Sequence, residues 1–412
     1  MIKVNKPKIR FNEFENTWIK SKLGELYEVY SGNTPSRSDS RNYQNGEIPW
    51  IKTTDLNNSI IYANEEKISV YGATKLKVLP EKSVLIAMYG GFNQIGRTGL
   101  LAYPATINQA LAALMPINEI YPNFLLNFLN FKKESWRNVA ASSRKDPNIT
   151  KNDVEKFIIS FPSLEEQSAI GSLFHTLDDL LASYKDNLAN YQSLKSTMLS
   201  KMFPKAGKTV PEIRLDGFEG EWENLRLGDC AIIKGRLGWK SLKQEEYTEV
   251  GPSMIAGKHI KNGVIDWGEV DHIPQWRYDE SPEIMLEKGD IIFSKDGSLG
   301  NPALVSNLKG EATINSTMML VRLDKKVSSQ FFYQVLTSSV FQKLIYLKVS
   351  GSSIPHLFQA DMQDFRFFAP CIEEQQAIGA YFSNLDNLIV AHQDKISQLE
   401  TLKKKLLQDM FI

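Results

Sequence analysis

The chain has 412 residues, 42% of them hydrophobic and 23% charged, a length and composition that suit two or three globular domains. Its 48 Lys and Arg balance 48 Asp and Glu, which argues against a protein that coats nucleic acid indiscriminately but not against a reader with basic groups concentrated on one surface. No apolar run is long enough to cross a bilayer, the opening MIKVNKPKIRFNEF has no signal core, and Cys230 and Cys371 have neither disulfide-framework nor zinc-site spacing, so the expected compartment is the cytoplasm.

Taken in order, the chain says one thing twice. A leading peptide, PKIRFNEFENTWIKSKLGEL from Pro7, returns as PEIRLDGFEGEWENLRLGDC from Pro211, each with P-x-I-R and a Trp (Trp18, Trp222). Within the globular stretches, GEIPWIKTTDL (Gly46 to Leu56) faces VGPSMIAGKHI (Val250 to Ile260), and ATINQ (Ala105 to Gln109) faces ATINS (Ala312 to Ser316). Turns feeding buried strands are expected at LPEKSVLIAMYG and LEKGDIIFSKDG, paired strands around the two ATIN segments, and helices at YPNFLLNFLNFKKESWRNVA and SSQFFYQVLTSSVFQKLIYL. Short strands EKFIISFP and QDFRFFAP then lead into the longest repeat, Pro162 to Phe203 and Pro370 to Phe411. These align without a gap, share EEQxAIG and close on Met-Phe.

In the first long segment Ile170, Leu173, Leu177, Leu180, Tyr184, Tyr191, Leu194 and Met198 step by three and four, with Asn187 holding one seam position. In the second Ile378, Tyr381, Leu385, Leu388, Leu399, Leu402 and Leu406 do the same, with His392 and Lys395 interrupting. That spacing predicts a coiled-coil seam on helices about 60 Å long. The expected fold is therefore α/β, with mixed α+β globules joined by two long antiparallel coiled-coil helices in a pseudo-twofold internal duplication. The expected segments are 1–161 (leading peptide and first globule), 162–203 (first spacer helix), 204–369 (linker PKAGKTVP and second globule) and 370–412 (second spacer helix). Two similar but non-identical bodies on a spacer suit a ligand with two different half-sites at fixed separation, and duplex DNA is such a ligand.

Loop clusters with the chemistry for phosphates and base edges are few. The first globule offers Ser36, Arg37 and Arg41; Lys52 and Thr53; Asn93, Gln94 and Arg97; and Ser142, Ser143, Arg144 and Lys145. The second offers Arg236, Trp239 and Lys240; Lys258, His259 and Lys261; Lys295 and Ser298; and Ser352, Ser353 and His356. Catalytic motifs do not emerge. DPNI (Asp146 to Ile149) lacks the second proline and the aromatic of an adenine methyltransferase motif. GPSMIAGKH mis-spaces the phosphate-loop glycines and puts His259 where Ser or Thr must stand, and the five His residues make no metal-ligand spacing.

SGNTPSRSDSRNYQNGEIPWIKTTDL, KGRLGWKSLKQEEYTEVGPSMIAGKHI, DGSLGNPALV and both Pro-x-x-EEQxAIG helix starts, in this order, resemble the specificity subunit of type I restriction-modification enzymes, over nearly the whole chain. The resemblance implies two target recognition domains, each reading half of an asymmetric bipartite duplex DNA target. It also implies helices that set the spacing and dock two methyltransferase subunits, and restriction (translocase/nuclease) subunits that join the complex. It implies no catalysis and no cofactor in this chain, with S-adenosylmethionine, ATP and magnesium on the partner subunits. The other reading is a coiled-coil adaptor whose globules bind protein or RNA.

Overall fold

The computed structural model describes residues 6–91, 93–141, 148–205, 207–237, 242–297, 299–350 and 355–412. The chain divides into two units, Met1–Lys185 with Asp394–Ile412, and Asp186–Gln393. Each long helix contributes to both: Leu164–Lys201 (38 residues) and Ile372–Met410 (39 residues) begin in one unit and finish in the other.

Among the described residues, the first unit holds a five-stranded sheet in the order Tyr30–Ser31, Leu111–Leu114, Val84–Ala87, Thr98–Leu101, Ser59–Ile61. All its neighbours run antiparallel except the last pair. The two strands flanking the ATIN segment, Thr98–Leu101 and Leu111–Leu114, do not pair with each other; each lies beside Val84–Ala87, which is buried throughout. A second sheet places Ile48–Ile51 between Lys67–Ile68 and Thr106–Ile107. The second unit has a four-stranded antiparallel sheet, Ala231–Gly235, Met318–Leu323, Ile291–Ser294, Gly300–Leu304, and a three-stranded one centred on Thr248–Ile255. In each unit the strand before the globule pairs with the strand after it: Ile19 faces Phe161, and Glu223 faces Ala369.

The EEQxAIG motif can be read residue by residue. Glu166 is buried and takes both terminal bonds of Arg10, from Nε and Nη2 at 2.7 Å each; Glu374 does the same for Arg214 at 2.9 and 2.7 Å. A buried carboxylate is tolerated only when paired and hydrogen-bonded, which is why the Arg of P-x-I-R travels with it. Gln167 accepts from the Tyr121 N–H at 2.9 Å and donates to the carbonyls of Glu119 and Pro162. Gln375 repeats this with Ser328, Lys326 and Pro370. Ile170 and Ile378 are core residues. Gly171 and Gly379 admit a neighbouring helix: a Cβ would lie 2.8 Å from the Tyr121 ring in one case and 2.8 Å from the Gln330 Cβ in the other.

The helices pair antiparallel within each unit, but the seam differs from the expected one at every second position. Leu180, Leu194, Leu388 and Leu402 are 39%, 41%, 40% and 45% exposed. The covered positions are Ile170, Phe174, Leu177, Leu181, Tyr184, Leu188, Tyr191, Lys195 and Met198, and, in the second helix, Ile378, Phe382, Leu385, Ile389, His392, Ile396, Leu399, Lys403 and Leu406. Leu173 and Tyr381 flank the cores, partly buried. The doublets Leu173-Phe174, Leu180-Leu181 and Tyr381-Phe382 satisfy either register. The globule packed along one flank of the helix selects the later residue. Both lysines at covered positions are matched by ion pairs: Lys195 with Asp386 at 2.5 Å, and Lys403 with Asp178.

The terminal Met-Phe pairs complete the cores. Phe411 lies in the first unit against Trp18, Phe124, Phe128, Phe131 and Phe174, with centroids 5.4–6.3 Å away. Phe203 lies in the second unit against Trp222, Phe331 and Phe382 at 5.6–6.3 Å. Removing such a ring leaves a cavity that rigid neighbours cannot close, so Phe411→Ala should destabilise the first unit by about 3–5 kcal/mol. Denaturant unfolding followed through Trp18, with all other tryptophans replaced, checks this; Phe203→Ala in the same background should leave the Trp18 transition in place.

Candidate nucleic-acid interface

In both units a parallel strand pair ends in the ATIN motif, and the loops gather there. Trp50 and Ile51 pair in parallel with Thr106 and Ile107; Met254 and Ile255 pair with Thr313 and Ile314. The next residue is Asn in both copies. The Asn108 N–H bonds the Ile51 carbonyl at 3.0 Å and its Oδ1 accepts from the Ala110 N–H at 3.1 Å. The Asn315 N–H bonds Ile255 at 3.0 Å and its Oδ1 accepts from the Thr317 N–H at 3.1 Å. Asn favours this turn because its side chain bonds its own backbone two residues on. Met88 then donates to Ala110 and Ile149 to Met88, while Lys295 donates to Thr317 and Leu357 to Lys295. Four separated segments thus meet at each strand end.

The chain beyond each paired strand makes one short turn, closed differently in the two units. Asp55 Oδ2 accepts from the Lys52 N–H at 2.7 Å; His259 Nδ1 accepts from the Ala256 N–H at 3.0 Å. A neutral imidazole does in the second unit what a carboxylate does in the first.

In the first unit Arg37 is exposed, paired to Glu66 at 2.5 Å, with its guanidinium 4.2 Å from the Tyr43 ring centre and 5.5 Å from that of Trp50. Lys52 reaches the same Glu66 at 2.6 Å. Partial burial pushes the Glu66 carboxyl up, but hydrogen bonds from Lys52 and Arg37 outweigh it and hold the group below its ordinary pKa. Arg41 pairs with Asp39 at 2.7 Å and lies 4.7 Å from the Tyr71 ring centre. Ser36 shares a hydroxyl contact with Ser38 at 2.8 Å, and Thr53 opens the turn after Lys52. Asn93 is exposed, and its carbonyl accepts from Arg97 Nε at 3.0 Å; Gln94 packs back against Gly90. Ser142, Ser143, Arg144 and Lys145 lie outside the described residues.

In the second unit Lys258 pairs with Asp271 at 3.0 Å and Lys261 with Asp266 at 2.7 Å. Lys295 is half-buried and makes no side-chain ion pair among the described residues. His356 Nδ1 contacts Asp296, and its ring stands 4.4 Å from that of Phe358, which is 59% exposed. Trp239, Lys240, Ser298, Ser352 and Ser353 lie outside the described residues.

Two expected loop readers are internal. Arg236 is 2% exposed and bonds the Ile314 carbonyl at 3.1 Å and the hydroxyls of Ser281 and Thr313 at 3.3 Å. Arg236, directly after the strand Ala231–Gly235, reads as a solvated loop residue from composition, yet its guanidinium bonds the strand Ala312–Ile314, and burial lowers its pKa. His259, also 2% exposed, is spent on closing its turn. Composition alone also missed the aromatic platforms Tyr43 and Tyr71 under the two arginines. The Asn108 and Asn315 hubs had a visible signal in the repeated ATIN. Among the described residues no group of three or more His, Cys, Asp or Glu is placed to hold a metal, and no helix is long and apolar enough to cross a membrane.

Burial holds the His259 pKa below its ordinary 6.5, against the pull of Asp271 at 3.6 Å. The unfolded chain therefore takes up this proton at higher pH than the folded protein. The stability tied to His259 is complete above the unfolded value of about pH 6.5 and is lost as the pH falls below it, through the lowered folded pKa. His259→Asn keeps an acceptor for the Ala256 N–H without a proton to gain. It should reduce the loss of stability between about pH 7.5 and about pH 5.5, measured by urea unfolding of both proteins.

Comparison with known proteins bears on both units. The family model for the type I restriction modification DNA specificity domain matches twice, over residues 15–190 and 219–401. The MjaVIII specificity subunit of a type I restriction enzyme from Methanocaldococcus jannaschii is 21% identical over 402 residues, covering 95% of this chain and 91% of that one. The EcoprrI specificity subunit of Escherichia coli is 24% identical over 390 residues, covering 91% and 88%. In fold, the crystal structure of the type I restriction-modification S subunit from M. genitalium superposes with a TM-score of 0.70 at 17% identity, covering 99% of both chains. With two matched domains spanning most of its length, the chain belongs to the type I restriction-modification DNA specificity family, as a specificity subunit.

Proposed function

We propose that each unit reads one half of an asymmetric, bipartite duplex DNA target, and that the paired helices set the distance between halves. The observation that carries this is the repeated strand-end scaffold with different side chains on it. Asn108 and Asn315 hold the same backbone geometry, while one unit presents Arg37, Arg41, Lys52, Asn93 and Arg97, and the other Lys258, Lys261, Lys295 and His356. Equal frames with unequal readers suit two different half-sites. In the pairs Arg37–Glu66, Arg41–Asp39, Lys258–Asp271 and Lys261–Asp266 the basic partner is exposed and the carboxylate only partly buried, so each pair is worth little in water and exchanging the carboxylate for a phosphate costs little. Meanwhile the rings of Tyr43 and Tyr71 keep the guanidinium groups extended and oriented.

On this reading the chain is non-catalytic. Two methyltransferase subunits dock on the helices, and restriction subunits with translocase and nuclease activity complete the complex. S-adenosylmethionine, ATP and magnesium belong to those partners.

The test is a genome-wide map of methylated adenines in cells with and without this gene. Loss of one gapped, asymmetric motif on deletion is the expected result. An unchanged map, with the protein and a methyltransferase both expressed, would favour the adaptor reading instead. With the target known, Arg37→Ala with Arg41→Ala should weaken binding of the purified chain about tenfold or more. It should also lower the slope of log affinity against log salt by about one for each phosphate no longer neutralised, and relax only the half-site read by the first unit.

A further inference from the structure

The two units differ beside the inserted phenylalanine. Tyr121 and Ser328 occupy the same place, each giving its N–H to the glutamine of EEQ, and three residues on, Phe124 and Phe331 both meet the inserted ring. One turn further, Phe128 in the first unit corresponds to Val335 in the second, and after that Phe131 corresponds to Ser338. Phe128 and Phe131 stand 5.9 and 5.8 Å from Phe411. Without those two rings, the second unit has a cleft of about 320 Å³ with Phe203, Val335, Val340 and Phe367 among its walls.

The rim of this cleft carries one sign of charge. Lys205, Lys343 and Arg366 all line it, and no Asp or Glu does. Lys205 is paired to Glu212, but Lys343 and Arg366 make no side-chain hydrogen bond or ion pair among the described residues. Arg366 also faces Arg226 across the strand pair. An apolar pocket with two unpaired cations on its rim complements an apolar anchor flanked by carboxylates.

We propose that this cleft of the second unit is a docking site for an acidic peptide segment of a partner protein, with one aromatic side chain filling the space that Phe128 and Phe131 fill in the first unit. Lys343 and Arg366 hold the flanking carboxylates. The first unit has no such site because its own rings occupy the space, so the chain takes this partner segment at one end of its duplication only. The inference does not depend on which DNA sequence is read.

The experiment titrates the purified full-length chain, by calorimetry, with an acetylated and amidated peptide bearing one phenylalanine between pairs of aspartates. Saturable binding at one site is expected. It should weaken about tenfold or more in Val335→Phe, which restores the first unit's residue, and in Lys343→Glu with Arg366→Glu. Replacing the peptide's phenylalanine by alanine should have the same effect. Ser339→Trp blocks the mouth from the rim and serves if Val335→Phe does not fold, with circular dichroism and salt-dependent binding of duplex DNA as controls for folding. No saturable binding at millimolar peptide overturns the proposal, as does binding that the filling and charge variants leave unchanged. Self-association of the chain that Val335→Phe abolishes, without peptide binding, would assign the cleft to a second copy and overturn it equally.

Discussion

Each unit is closed by an aromatic side chain delivered from the opposite end of the other repeat's long helix. Phe411, near the last residue, sits among five rings of the first unit, and Phe203, at the end of the first long helix, sits among three of the second. A buried aromatic contributes both its apolar area and specific ring geometry, so a globule that lacks it has a hole where its packing is densest. The helices are therefore not detachable spacers. Leu177 and Leu181 of the first long helix, and Leu399 of the second, belong to the first unit's core, as Ile378, Phe382 and Leu385 belong to the second's.

The start of each helix is fixed as firmly as its end. The fork of Arg10 on Glu166, repeated by Arg214 on Glu374, ties the leading peptide to the first helical turn, and the neighbouring glutamine amide ties that turn to the globule. Each long helix is thus held by packed side chains at its start in one unit and at its end in the other. The Lys–Asp pairs at seam positions add register, since a one-residue slip would leave Lys195 or Lys403 covered without its aspartate.

The groups that hold the frame are separate from the exposed basic groups in each globule. The holding groups, Asn108 with Asp55 and Asn315 with His259, spend their polarity on backbone, and two of the four differ in chemistry while making the same bond. The basic side chains stand outside them: Arg37 and Arg41 are braced by carboxylates and rings, and Lys258 and Lys261 by carboxylates. Loop residues can then vary without disturbing the frame, which is the condition for one fold to serve many targets.

Much of this was legible in the residues. Duplication, the two long helices, the seam residues Ile170, Leu177, Ile378 and Leu385, the repeated ATIN segments and the family resemblance all follow from patterns that repeat at matched spacing, because a repeated local pattern folds to a repeated local structure. Three things were decided only by tertiary contact. Apolar doublets on a helix satisfy two seams, and the globule along one flank selected Phe174, Leu181, Phe382 and Ile389 over Leu173, Leu180, Tyr381 and Leu388. Arg236 and His259 have the composition of loop readers, but the strand over one and the turn around the other took them inside. The partner of each Met-Phe end could not be read from periodicity at all, because the residues it meets lie far away in the chain and are brought to it only by the folded core.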